Sequence, residues 1–163
     1  MKGHLRICFV CLGNIIRSPL AENLFLNLAE DAGYGDLFEV DSAGTSGYHI
    51  GEAPDRRMRR VAASHGVVYQ GSARQFTRDD FDRFDLIIAM DNENVRDLRV
   101  MAATEEQTRK IHLLRAFDPM GGAQDAVPDP YYGGIDGFEE TYRIVERSCK
   151  GLLDALMTSG SAG

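Results

Sequence analysis

Apolar residues in this chain follow two alternating rhythms. Short apolar-rich runs occur at residues 5–10 (Leu5-Arg6-Ile7-Cys8-Phe9-Val10), 37–42 (Leu37-Phe38-Glu39-Val40-Asp41-Ser42), 85–90 (Asp85-Leu86-Ile87-Ile88-Ala89-Met90) and 110–114 (Lys110-Ile111-His112-Leu113-Leu114). Runs of this length read as strands, the first as a buried strand. Between them apolar positions recur every three or four residues, as a helix requires to bury one stripe. Residues 18–32 align Leu20, Leu24, Phe25, Leu28 and Ala29, and helices are also predicted over 54–65, 92–102 and 138–157.

The punctuation agrees with these rhythms. Ser18 can cap the first helix and Pro19 suits its first turn. Pro54 opens the second helix and Gly66 closes it. Thr77 can cap a short helix through Phe81, and Asp91 can cap the helix over 92–102. Strands alternating with helices predict an α/β fold, a parallel sheet with helices on both faces. Residues 115–134 form a long loop rich in Gly, Pro and Asp, and such loops in compact domains are usually functional. No repeat or linker interrupts the pattern, so one domain is expected over residues 1–158, with 159–163 a frayed tail.

Composition narrows the function. With 163 residues, 44% hydrophobic and 26% charged, the chain can bury one core. A net charge of -7 argues against general affinity for nucleic acid. The cluster Arg56, Arg57, Arg59 and Arg60 reads as a solvated helix face, or more sharply as a docking patch for an acidic partner. No apolar run is long enough to cross a bilayer, and the short N-terminal run reads as a core strand rather than a signal peptide. Three cysteines, Cys8, Cys11 and Cys149, make no even disulfide framework, which points to a reducing, cytoplasmic setting. His4, His49, His65 and His112 show no metal-ligand spacing, so no metal or cofactor is expected.

The chemistry concentrates where the first strand hands over to the first helix. Cys11 ends the strand, and Leu12, Gly13, Asn14, Ile15 and Ile16 lead to Arg17 and Ser18. Gly and Asn tolerate unusual backbone angles. A loop curled so that its N–H groups converge, closed by a helix N-terminus, binds tetrahedral oxyanions. The same field stabilises a thiolate and makes Cys11 a nucleophile. Arg17 can grip two phosphoryl oxygens with its planar fork, which Lys cannot do. The amides of residues 12–17 can take the remaining oxygens, and Ser18 can donate a hydrogen bond to the sulfur.

Phosphate ester hydrolysis at such a site also needs an acid for the leaving group. Asp118 and Asp129 both precede proline in the long loop. Asp129-Pro130-Tyr131-Tyr132-Gly133 adds two rings that would lower local polarity beside the carboxyl, so Asp129 ranks first. Asp118 reads as a turn residue.

The stretch Val10-Cys11-Leu12-Gly13-Asn14-Ile15-Ile16-Arg17-Ser18-Pro19-Leu20-Ala21-Glu22 resembles the signature of low-molecular-weight protein tyrosine phosphatases. Asp41-Ser42-Ala43-Gly44, the segment from Phe84 to Asp91, and Asp129-Pro130-Tyr131-Tyr132-Gly133 resemble the same family. The resemblance implies a four-stranded parallel sheet of flavodoxin-like order and a phosphocysteine intermediate. It implies Cys11 as nucleophile, Arg17 as phosphate clamp, and Asp129 as general acid and then base. It further implies a supporting network of Asn14, Ser18 and Ser42, and pocket walls from Leu12, Ile15, Tyr48, Tyr131 and Tyr132. The partner it implies is a phosphotyrosine-containing protein, with no nucleic acid and no membrane.

One position departs from the pattern. The family usually carries a second cysteine where this chain has Ile16, and that cysteine can trap oxidised Cys11 as a disulfide. Cys8 cannot replace it, because three residues along a strand is about 10 Å and alternation points it to the other face. Related families leave two rivals. Arginine phosphatases tend to carry Thr at the position of Ile15, whereas the aliphatic Ile15 resembles the tyrosine-specific members. Arsenate reductases need a relay of further cysteines, and only Cys149 follows Arg17. A catalytically silent phosphotyrosine- or anion-binding module is the non-enzymatic alternative, and it would not need Asp129.

Overall fold

The computed structural model describes residues 4–122, 125–131 and 133–162, with side chains of the last helix described through Thr158. Four strands, β1 (Leu5–Cys11), β2 (Phe38–Gly44), β3 (Leu86–Ala89) and β4 (Ile111–Leu113), form one sheet. Its order is β2-β1-β3-β4 and every neighbouring pair is parallel, as the sequence predicts. β1 and β3 are the inner strands because both are apolar enough to be covered on two faces: Ile7, Cys8, Phe9 and Val10 of β1 and Ile87, Ile88 and Ala89 of β3 are fully buried.

The helices are α1 (Arg17–Asp31), α2 (Arg56–Ser64), α3 (Asp80–Arg83), α4 (Asn92–Met101), α5 (Glu105–Thr108) and α6 (Ile135–Ala162). Strand alternation divides the core in two. Ile7, Phe9 and Ile88 face a large cluster with Leu20, Leu24 and Phe25 of α1, Met58 of α2, and Val145 and Leu152 of α6. Cys8, Val10 and Ile87 face a smaller cluster with Phe81 of α3 and Leu98 of α4. Phe25 packs between Phe9 and Phe38, with ring centroids 5.9 and 5.0 Å away. Burying one such side chain contributes about 2 kcal/mol.

The local signals need several corrections. Ser18 does not cap α1. The cap position is Ile16, with no side-chain bond, and Ser18 lies buried in the first turn. The second helix starts after Asp55, whose carboxylate accepts the Arg57 and Met58 N–H groups. Thr77 does not cap α3; its N–H instead donates to Asp80 at 2.8 Å. Asp91 does cap α4, in a reciprocal pair with Asn94. The short α5 has no counterpart among the predicted helices; Thr104 caps it by accepting the Gln107 N–H. The long loop is shortened by a 3-10 turn at Leu114–Phe117. The final helix begins at Ile135 rather than 138, and its helical backbone runs on to Ala162, past the expected end at Met157. Among the described residues, no helix is long and apolar enough to cross a membrane.

Candidate active site

β1 ends at Cys11 and the chain enters α1 at Arg17, so the intervening loop must reverse direction within a few residues. The turn falls on Asn14, the one non-glycine with positive φ among the described residues, at 59°. Asparagine visits this region at low cost. Gly13 does not use its freedom that way. A Cβ at Gly13 would come within 2.8 Å of the His49 ring, a side chain rather than backbone. Close approach requires glycine instead at Gly44, at the end of β2. A Cβ there would lie 2.7 Å from the Leu12 carbonyl oxygen and 3.1 Å from the Asn14 nitrogen.

Around the sulfur, one donor and one hydroxyl converge. The Asn14 N–H donates to Cys11 Sγ at 3.3 Å, and Ser18 Oγ lies 3.0 Å from it. The Asn14 carboxamide donates to Ser18 Oγ at 2.8 Å and Ser42 Oγ at 3.0 Å. Behind the loop, the first-turn amides of α1 have no intrahelical acceptor and add partial positive charge. Cys11, Asn14, Arg17, Ser18 and Ser42 are all buried.

The Arg17 side chain is 4% exposed, and the orientation of its guanidinium is fixed from outside the loop. Nη1 donates to Asp91 Oδ2 at 2.8 Å and to the Val127 carbonyl at 3.0 Å. Nη2 lies 3.6 Å from Asp129 Oδ2. Asp91 therefore serves twice, since its other oxygen accepts the Asn94 N–H that caps α4. Sequence reasoning finds the cap and misses the ion pair. The available signal is its position at the carboxyl end of a central strand, where ligands bind in such sheets.

A cavity of about 390 Å³ opens over the sulfur, lined by Cys11, Leu12, Gly13, Ile15, Ile16, Arg17, Tyr48, Asp129 and Tyr131, with Ser46 and His49 added. The structure thus brings together the expected thiol, guanidinium and carboxyl. Asn14, Ser18 and Ser42 do not line the cavity. Ser46 and His49 carry no sequence signal for this place. The His49 ring meets Tyr48 edge-on at 4.9 Å, and its Nδ1 lies 3.0 Å from Glu52 Oε1. Tyr132 lies outside the described residues. Tyr48 is 84% exposed, so it stands at the rim. The Asp129 side chain is 45% exposed, and its Oδ1 accepts the Tyr131 N–H at 3.1 Å. The apolar shelter expected around this carboxyl is therefore incomplete among the described residues.

Three other expectations resolve away from the cavity. Asp118 accepts the Met120 N–H, as a turn residue would, but it is also buried between Arg147, at 2.7 Å, and Arg115, at 3.2 Å. Arg57 stacks over Tyr131 and Phe138 at 5.6 and 4.6 Å, so one arginine of the basic cluster supports the cavity wall. Cys8 and Cys149 are buried free thiols, and burial pushes both well above the ordinary thiol range.

The chain's relatives share this architecture. A family model described as low molecular weight phosphotyrosine protein phosphatase matches residues 6–162. The low molecular weight protein-tyrosine-phosphatase of Streptomyces coelicolor is 51% identical over 152 residues, covering 93% of each chain. The low molecular weight phosphotyrosine protein phosphatase of Rattus norvegicus is 43% identical over 153 residues, covering 93% of this chain and 96% of its own. A protein tyrosine phosphatase from Entamoeba histolytica, solved with Hepes in its active site, superposes with a TM-score of 0.90 at 37% identity, covering 96% of this chain and 99% of the other. By the length of the match and by identity well above chance, this chain belongs to the low molecular weight phosphotyrosine protein phosphatase family.

Proposed function

We propose that this chain hydrolyses phosphotyrosine in proteins through a phosphocysteine intermediate on Cys11. One observation carries the reading: Cys11, Arg17 and Asp129 meet at a single cavity. The Cys11 thiolate attacks phosphorus, forming the S–P bond as the bond to the tyrosyl oxygen breaks. Asp129 gives its proton to the departing phenolate. Asp129, now a carboxylate, takes a proton from water as that water attacks phosphorus. The S–P bond then breaks, releasing phosphate and the thiolate. Arg17 holds the equatorial oxygens throughout, since Asp91 and Val127 occupy only Nη1. The Ser18 hydroxyl and Asn14 N–H stabilise the sulfur anion, which makes it a better leaving group in the second step. Leu12, Ile15, Tyr48 and Tyr131 supply an apolar wall suited to an aryl ring.

The test is a comparison of initial rates on phosphotyrosine, phosphoserine and phosphoarginine peptides. Phosphotyrosine should be the fastest by at least about tenfold. Cys11→Ser should abolish turnover. Asp129→Asn should lower kcat by about 10²-fold or more with little change in KM. Faster hydrolysis of phosphoarginine would assign the chain to the arginine-specific branch. Binding without turnover would make it a silent module.

A further inference from the structure

The hydrogen bond from Ser18 to Cys11 is only available if the Ser18 proton is not spent elsewhere. Ser18 has one proton and two lone pairs. Its neighbour Asn14 can present either Nδ2, a donor, or Oδ1, an acceptor. With Nδ2 toward Ser18, the serine accepts from Asn14 and its proton is left for the sulfur at 3.0 Å, with the Ala43 carbonyl, at 3.4 Å, as the more distant competitor. With Oδ1 toward Ser18, the serine must donate to Asn14, and the sulfur loses that donor. The direction of one carboxamide therefore decides how well the thiolate is stabilised.

Two groups outside the loop fix that direction, one at each end of the network. On one side, the backbone N–H of Arg74 donates to Asn14 Oδ1 at 2.9 Å. A reversed amide would set donor against donor there. On the other side, Ser42 Oγ lies 2.6 Å from Glu22 Oε1. An ionised carboxylate only accepts, so Ser42 donates to Glu22 and must accept from Asn14 Nδ2 at 3.0 Å. A reversed amide would claim the Ser42 proton and leave two acceptor oxygens facing each other. The Arg74 N–H is itself held in place. The Arg74 guanidinium binds Asp41 at 3.1 Å and Asp80 at 3.0 Å, and the Arg74 carbonyl accepts the Gly44 N–H at 2.9 Å. None of Glu22, Arg74 or Asp41 lines the cavity over Cys11.

We propose that Glu22 and Arg74 are positioning residues that lock the polarity of the Asn14 carboxamide, and through it keep the Ser18 proton directed at Cys11. The inference rests on Cys11 acting as a thiolate, as in the proposed function, and adds what keeps its donor in place. Glu22→Gln is the sharpest probe. It is nearly isosteric, and its amide can donate to Ser42, which makes the reversed network satisfiable at its Ser42 end. Arg74→Gln loosens the opposing lock. The charged and titratable groups around the cavity over Cys11 are Arg17 from α1, Asp129 and His49, with Asp91 beyond β3 paired to Arg17, and neither substitution alters any of them.

The experiment measures the thiolate-to-thiol ratio of Cys11 in the full chain at fixed pH, by thiolate ultraviolet absorbance and by the site of alkylation in mass spectra. Cys8 and Cys149 stay silent, because burial holds them as thiols. Ser18→Ala should lower the ratio about tenfold in the native background, the worth of one hydrogen bond to a charged group. The Glu22→Gln and Arg74→Gln pair should lower it by a similar factor. Adding Ser18→Ala to that pair should change it by less than about twofold, because the donor is already lost. Residues that merely stabilise the fold would leave the Ser18→Ala effect at full size, and that result overturns the proposal. If the double variant does not fold, the cycle is run on Glu22→Gln alone, where the Arg74 lock remains: a Ser18→Ala effect reduced by at least about twofold supports the proposal, and one at full size overturns the part assigned to Glu22. Should aryl phosphate turnover be absent while this coupling is present, the phosphatase reading falls and the lock stands. Should turnover be present with no coupling, the lock falls and the phosphatase reading stands.

Discussion

At the residue scale, the loop over Cys11 is shaped as much by missing side chains as by present ones. Gly44 belongs to β2, yet it determines how closely the Leu12–Asn14 backbone can approach the sheet. The atoms that a Cβ at Gly44 would strike are backbone atoms of that loop. They can yield only if the loop moves. Gly44→Ala should therefore displace the donors around Cys11 while leaving the hydrophobic core intact. A displacement of about 1 Å at a reacting centre costs about 10²-fold in rate. Steady-state kinetics should show that loss in kcat, with far-ultraviolet circular dichroism unchanged. A rate within about twofold of the native chain would mean that the loop position is set elsewhere.

At the element scale, the periodicity of the chain locates the helices, and tertiary contacts reassign their end residues. Ser18 has the chemistry of a cap, but its hydroxyl is drawn to Cys11 and Asn14, where burial makes each bond matter more. Asp118 shows the same override. A turn residue by its context, it fastens the loop after β4 to α6 through Arg115 and Arg147. The hydrogen bond from Arg147, with further bonds from Met120 and Arg115, holds its carboxyl below the ordinary carboxylate range. A lowered value in the folded state means that this stabilisation is complete above the ordinary range. It is lost as pH falls through the lowered value. Asp118→Asn should cost about 2 kcal/mol at neutral pH. The difference from the native chain should shrink as the solution is acidified, which thermal melts at several pH values will read. A constant difference across pH would rule the ion pairs out as its source.

At the scale of the whole molecule, the placement of its three thiols bears on oxidation. Cys8 faces the smaller core on the far side of the sheet, and Cys149 is buried in α6, where it donates to the Ala21 carbonyl. Ile16 lines the cavity in the position from which the family's second cysteine would reach the first. No described thiol is therefore placed to trap oxidised Cys11. Brief peroxide should drive Cys11 past the sulfenic stage, beyond rescue by reductant. Ile16→Cys should restore recoverable activity. Equal recovery of the two proteins after dithiothreitol would sink this expectation.

Much of the fold is legible in the chain because its signals are local. Buried parallel strands and amphipathic helices each carry their own period, so the sheet and the four long helices can be read directly. The short α5 and the 3-10 turn carry no such period and escape that reading. Cys11 and Arg17 are legible for a different reason: a thiol and a guanidinium spaced across a strand-loop-helix junction have few other uses there. Asp129 is told apart from Asp118 only by its neighbouring rings and by the family resemblance, since both precede proline in the same loop. Tertiary structure alone decides everything that depends on groups far apart in the chain. Asp91 pairs with Arg17 across 74 positions, and Arg74 orients Asn14 across 60. The Gly44 contact with the Leu12 carbonyl likewise joins two distant segments. A linear pattern records which groups a residue offers, but a hydrogen bond or a close approach also needs a partner within about 3 Å, and only the packed sheet supplies that.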